Sequence, residues 1–112
     1  MENFNDQKWF FEADEKELGI ETCVYDNGSK VKRAKLSDGN FALGRELKGK
    51  DMKLVDRICN GKKDDYLPAL MVTAVKSIND KGEETNWTLE ELDELKGKDY
   101  TTIKMLATTL NF

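Results

Sequence analysis

The chain has 112 residues, of which 38% are hydrophobic and 36% are charged, and its net charge at neutral pH is −4. This length accommodates one domain with a modest core and excludes an elaborate multidomain enzyme. The negative charge argues against a protein that binds nucleic acid or an acidic membrane, because both activities depend on concentrated positive charge.

Residues 1–17 are predicted to form a flexible acidic arm in front of a single domain over residues 18–112. The arm carries six acids and two lysines, so it holds the entire net charge of the protein. It also contains Trp9, Phe10 and Phe11, which we predict to contact a partner protein. The alternative is that Trp9 and Phe10 cover the edge of the protein's own core.

Residues 18–47 have the pattern of β-strands separated by turns. A first strand is predicted over residues 18–25 and a hairpin over residues 30–36 and 40–47. The hairpin is indicated by Asp38-Gly39, because the turn between two strands needs a residue that adopts positive φ. The many basic side chains of residues 30–35 are typical of an exposed strand.

From Asp51 onward the apolar residues follow helical spacing. A first helix is predicted to begin with Asp51 as its N-cap and to end at Asn60-Gly61. A second helix should open near Pro68, whose missing N–H is tolerated in a first turn, and should continue its apolar stripe to Ile78. This second helix is the predicted centre of the core.

The segment from Trp87 to Leu92 predicts another helix start. Thr88 and Glu91 fit a capping box, and Trp87 and Leu92 occupy the two positions of a hydrophobic staple. A final helix is predicted to begin with Asp99 as its N-cap. The expected fold class is therefore α+β, with a small N-terminal antiparallel β-hairpin or meander packed against three to four helices.

The hexapeptide ELKGKD occurs twice, ending once at Asp51 and once at Asp99. The residues that follow the two copies share little beyond helical spacing, so an internal duplication is not indicated. We interpret both copies as turns that lead into a new helix.

The sequence offers little for catalysis or for binding a cofactor or metal. There is no histidine, and Cys23 and Cys59 are expected to be reduced and buried. Neither a secretory signal nor a membrane span is recognisable, so we expect a soluble cytoplasmic protein. An enzyme that uses carboxylate pairs such as Glu83-Glu84 as acid and base is only a third hypothesis, ranked after the two protein-binding functions given below.

Binding to other proteins is the preferred interpretation. Beside the aromatic residues of the arm, the candidate contacts are Tyr100, Met105 and Phe112, near the end of the chain. Residues 29–50 are basic and residues 80–99 are acidic, and these segments can pair within the fold or between copies. We therefore expect a homo-oligomer in which the basic strands contact residues 80–94.

The order of these motifs resembles the small tail assembly chaperones of Mu-like and P2-like contractile-tailed phages. The resemblance covers Lys35 to Phe112 and rests on KLSDGNFALGRELKGKDMKLVDRICNG, on YLPALMVTAVKSI, and on WTLEELDELKGKDYTTIKMLATTLNF. It implies a non-enzymatic protein of the bacterial host cytoplasm that binds the tape-measure protein and recruits tail-tube subunits, without remaining in the mature virion. The alternative function is a small acidic inhibitory or immunity-type module that binds one protein.

Overall fold

A five-stranded antiparallel sheet and four α-helices make up the part of the chain that the computed structural model describes, residues 8–12 and 15–111. The predicted α+β class is confirmed. The strands are β1 (Glu21–Val24), β2 (Lys30–Lys35), β3 (Phe41–Arg45), β4 (Val75–Ile78) and β5 (Glu84–Thr85). The helices are α1 (Gly49–Cys59), α2 (Tyr66–Ala74), α3 (Leu89–Asp93) and α4 (Gly97–Asn111), and a short 3-10 turn precedes α2.

The sheet is a meander in which each strand pairs with the next one along the chain. The register aligns Ala34 with Ala42 and Ala42 with Ser77, and these residues lie on the face that the helices cover. Because successive residues of a strand point to opposite faces, Val31 and Leu43 lie on the other face. We call these the helical face and the open face of the sheet.

The strands of the open face form a small apolar cluster of their own. Its buried members are Cys23, Val31, Leu43 and Ile78, and the half-buried side chains of Trp9, Tyr25 and Phe41 pack against them. The second cysteine, Cys59, is buried among residues of α1 and α2, and the two cysteines are not joined by a disulfide.

Three hairpin turns of this sheet share one hydrogen-bonding pattern. In the turn between β2 and β3, the N–H of Leu36 donates to the carbonyl of Asn40 and that of Gly39 donates back to Leu36. Gly39 has a φ of 91°, a conformation that glycine adopts without steric cost. The turns that follow Tyr25 and Asn79 close in the same way.

The prediction that the second helix continues to Ile78 is wrong. Helix α2 ends at Ala74, and Val75 is already extended, with φ −122° and ψ 134°. Residues Val75–Ile78 form β4, which pairs with β3 and covers its edge. The β-branched Val75 and Ile78 suit a strand as well as a helix, so hydrogen bonds to β3 decide between the two.

Helix α1 begins at Gly49, two residues before the predicted start, which places Asp51 at its third position rather than at the N-cap. The Asp51 carboxylate accepts the backbone N–H of Lys48, 2.9 Å away. Asp51 therefore stabilises the helix start by satisfying a free donor of the preceding turn.

Helix α3 is capped by Thr88. The Thr88 Oγ1 accepts the N–H of Glu91, and the Glu91 carboxylate accepts the N–H of Thr88, both at 3.1 Å. Leu92 is fully buried in the main core, and the half-buried Trp87 packs against the same cluster.

The predicted N-cap role of Asp99 is replaced by a tertiary contact. Helix α4 begins at Gly97, so Asp99 is its third residue, and this residue is only 6% exposed. The carboxylate accepts the Ser37 N–H at 3.1 Å and the Ser37 hydroxyl at 2.5 Å. Asp99 thus joins the start of α4 to the turn between β2 and β3.

Helix α4 also approaches β3 closely along its length. A Cβ added at Gly44 would lie 3.2 Å from Leu106 Cβ and 3.1 Å from Leu110 Cδ1. At the end of α4, the Asn111 side chain accepts the Leu47 N–H at 2.7 Å and donates to the Arg45 carbonyl at 3.3 Å. The helix is therefore bonded to the sheet at both ends and packed on a glycine between them.

Replacing Gly44 with alanine should lower the free energy of unfolding by about 1–3 kcal/mol, because the added methyl group forces α4 away from β3. The control is Gly49→Ala, since nothing lies within 4 Å of a Cβ at Gly49. Chemical denaturation of both variants measures the difference. If the two variants are equally stable, α4 can shift away from β3 without a loss of stability, which would contradict the prediction.

Replacing Asp99 with alanine should cost about 1.5–3 kcal/mol, because a buried charged acceptor of two hydrogen bonds is lost. Asp51→Ala removes a more exposed contact and should cost only about 0.5–1 kcal/mol. Urea denaturation of the two variants tests the ranking. A larger loss for Asp51→Ala would contradict the tertiary role assigned to Asp99.

Candidate functional site

Arg33 lies between two aromatic rings on the open face of the sheet. Its guanidinium carbon is 4.2 Å from the centre of the Trp9 ring and 4.7 Å from that of the Phe41 ring. The same guanidinium donates to the Glu21 carboxylate, with the Nε to Oε1 distance at 3.1 Å. A cation held against aromatic faces stabilises them electrostatically, so Arg33 fixes the Trp9 ring on the sheet.

The residues around Trp9 run alongside β1 as a short extra strand. Phe10 and Thr22 exchange two backbone hydrogen bonds, of 2.9 and 2.7 Å, and form an antiparallel bridge. Because side chains alternate, Trp9 and Phe11 lie toward the open face and Phe10 toward the helical face. The bridge extends the sheet past β1.

Carboxylates from the N-terminal segment pair with the lysines of β2. Glu12 contacts Lys30 at 2.9 Å and Lys32 at 3.2 Å, and Glu15 contacts Lys32 at 2.5 Å. Lys32 is only 4% exposed, and Glu15 also accepts a 3.5 Å hydrogen bond from the Thr22 hydroxyl. A buried ammonium is costly unless it is paired, so these acids make the position of Lys32 possible.

The same contacts shift the ionisation of the exposed pair. The hydrogen bond from Lys30, followed by the one from Lys32, lowers the pKa of Glu12 below its ordinary value. The hydrogen bond to Glu12 raises the pKa of Lys30. Both shifts favour the charged forms that hold the segment against β2.

The aromatic residues predicted as partner contacts therefore have different surroundings. Trp9 is half-buried in the cluster of the open face, which agrees with the alternative that it covers the protein's own core. Phe10 and Phe11 are 45% and 47% exposed. Residues 1–7, 13 and 14 of the predicted arm lie outside the described residues.

The candidates near the end of the chain lie mostly against the protein itself. Tyr100 and Met105 are half-buried and pack against the main core. Phe112 lies outside the described residues. Trp9 and these two α4 residues are separated by the sheet, so the structure does not bring the predicted contacts together in one patch.

Acids that precede β2 in the chain pair with three of its basic residues, Lys30, Lys32 and Arg33. Arg45 of β3 pairs with Glu84 of β5 at 2.7 Å. These are pairs within one chain, which is one of the two arrangements expected from the charge pattern. The basic strands are therefore largely neutralised inside the fold.

An open groove of about 430 Å³ lies along α3. Trp87 and Leu95, both half-buried, supply its apolar surface, and Glu90, Glu91 and Glu94 supply carboxylates. Glu91 is occupied by the capping box. Glu90 lies in the first turn of α3 and Glu94 is its C-cap, and their spacing of four residues places them on the same side of this turn.

These surfaces suit protein ligands. The exposed phenylalanines beside β1 offer apolar contacts and a strand edge, and the α3 groove offers an apolar floor with negative charge. Within residues 8–12 and 15–111, no group of three or more acids and cysteines is placed to hold a metal ion. The described helices include none with the length and apolarity to cross a membrane.

Comparisons with protein-family models, with curated proteins and with solved structures find no match to this chain.

The residues that hold the segment around Trp9 against the sheet, which we call the N-terminal site, were not predicted from the sequence. In the sequence, Arg33 and Lys32 stand out only as part of a basic segment, and Glu12 only as part of an acidic one. Strand alternation places Arg33 and Lys32 on opposite faces, but their partners follow from the strand register and from the path of residues 8–12.

The contribution of Glu12 should depend on pH with a definite sign. Its pKa is lowered in the folded state, so its stabilisation is present above the unfolded value of about 4.3 and is lost as the pH falls through the folded value. Glu12→Gln should therefore be less stable than the wild type at pH 7 and equally stable near pH 2. Thermal unfolding across this range measures the difference, and Glu17→Gln is the exposed control. A deficit that is independent of pH would contradict the ion pairs.

Proposed function

We propose that this protein is a non-enzymatic tail assembly chaperone of a contractile-tailed phage or prophage, which binds the tape-measure protein. The observation that carries the proposal is the pair of exposed phenylalanines, Phe10 and Phe11, on a segment that is held against β1. Phe10 and Phe11 lie between two anchored neighbours, Trp9 and Glu12. Because this anchoring already orders the segment, a protein client can contact the two half-exposed rings with little further loss of conformational entropy.

The identity of the client comes from the motif order between Lys35 and Phe112. That resemblance implies a long, aggregation-prone tape-measure protein that must be kept soluble while tail-tube subunits assemble around it. A small acidic protein that binds in several copies would gain affinity from multiple weak contacts. The proposed location is the cytoplasm of the bacterial host, and the mature virion would not contain the protein.

The alternative function is an inhibitory or immunity-type module. It predicts a monomer that forms a tight one-to-one complex with a single protein. The chaperone proposal predicts several copies on one client chain, so the stoichiometry of the purified complex discriminates between the two.

Co-expression with the proteins encoded by the neighbouring genes tests the proposal, which expects a tape-measure protein and a tail-tube protein among them. The wild type should retain the tape-measure protein in a pull-down and keep it in the soluble fraction. Phe10→Ser combined with Phe11→Ser should reduce the retained client about tenfold, because aromatic contacts carry much of the energy of such interfaces.

The matched control replaces the same two residues with leucine, which keeps apolar surface at both positions and should keep most of the binding. Unfolding curves of both variants establish that the domain is intact. Absence of the tape-measure protein from the wild-type pull-down would overturn the proposed function, and full binding by the serine variant would overturn the assigned site.

A further inference from the structure

Helix α1 presents a basic outer face. Lys50, Lys53, Leu54 and Arg57 are all exposed, and their spacing of three and four residues places them on one side of the helix. The opposite side carries Val55 and Cys59, which are buried in the core. Among the described residues, neither Lys50, Lys53 nor Arg57 takes part in an ion pair.

Leu54 lies in the middle of these cations and is 41% exposed. A large apolar side chain surrounded by charged groups is a common centre for a protein contact, since apolar burial supplies energy and the surrounding charges orient the partner.

The α3 groove has the complementary composition. Trp87 and Leu95 offer apolar surface, while Glu90 and Glu94 carry negative charge on one side of α3. Neither of these two glutamates forms an ion pair with another residue of the described chain. The groove thus matches the outer face of α1 in apolar character and is opposite to it in charge.

We propose that the outer face of α1 in one copy docks in the α3 groove of a second copy. Leu54 enters the groove against Trp87 and Leu95, and the cations of α1 pair with Glu90 and Glu94. This differs from the interface expected from the sequence, because most strand bases, namely Lys30, Lys32, Arg33 and Arg45, are already paired within the fold and the α1 bases are not.

The two surfaces are different parts of the chain, on helices that each pack against α2. The contact is therefore heterologous, and every added copy leaves one α1 face and one groove free. Such a contact builds a closed ring or an open filament rather than a simple symmetric dimer. The inference goes beyond the proposed function, because it holds whatever the client is.

Two charge-reversed variants of the full chain test the contact: Lys53→Glu with Arg57→Glu, and Glu90→Lys with Glu94→Lys. All four side chains are exposed, so the fold should be retained. Sedimentation at low ionic strength should show the wild type associating, and each variant alone should associate about tenfold more weakly or worse.

An equal mixture of the two variants should recover association, because each α1 face then meets a groove of opposite charge. The controls are Lys62→Glu with Lys63→Glu, and Glu17→Lys with Glu83→Lys, which make the same changes in net charge at exposed residues outside both surfaces. These controls should associate like the wild type.

A wild type that stays monomeric at low ionic strength overturns the proposal. So do folded variants that associate as the wild type does, or a mixture that fails to recover association. Client binding is measured separately with Phe10 and Phe11, so the proposed function and this interface fail independently.

Discussion

The contact between α4 and β3 is the interaction on which the rest of the structure depends. Gly44 leaves no side chain between the strand and Leu106, so the helix lies close to the sheet. Asp99 bonds the start of the helix to Ser37, and Asn111 bonds its end to the backbone at Arg45 and Leu47. With both ends of α4 fixed, α2 and α3 pack in the remaining space and the main core closes between helices and sheet. A displacement of α4 would therefore disturb most of the core at once.

The helices cover only one face of the sheet, and this determines the character of the N-terminal site. The opposite face carries buried Val31 and Leu43, which need apolar neighbours to exclude water. Trp9, held by Arg33, supplies part of that cover. The anchoring of Trp9 leaves the two following phenylalanines exposed at the sheet edge, so a structural requirement of the fold and an exposed apolar surface arise from the same short segment.

Electrostatics divides the charged residues of this acidic protein into two groups. Three bases of β2, Lys30, Lys32 and Arg33, and Arg45 of β3 are paired with acids of the same chain and contribute to holding the N-terminal segment and β5. The cations of α1, together with Glu90 and Glu94 of the α3 groove, face solvent instead. Charges of the second group are available to orient another molecule, because no intramolecular partner competes for them in the described chain.

Local sequence determined the elements whose causes are local. Asp38-Gly39 set a hairpin turn, and Thr88 with Glu91 set a helix start, because each acts through backbone groups within a few residues. Tertiary structure decided what depends on distant partners. Val75 joined a strand because β3 offered an unpaired edge, and Asp99 left its expected cap because Ser37 offered two donors. The pairing of Glu12 with β2 was likewise outside the reach of sequence, since the spacing of residues along a chain does not specify which charges the fold brings within 3 Å.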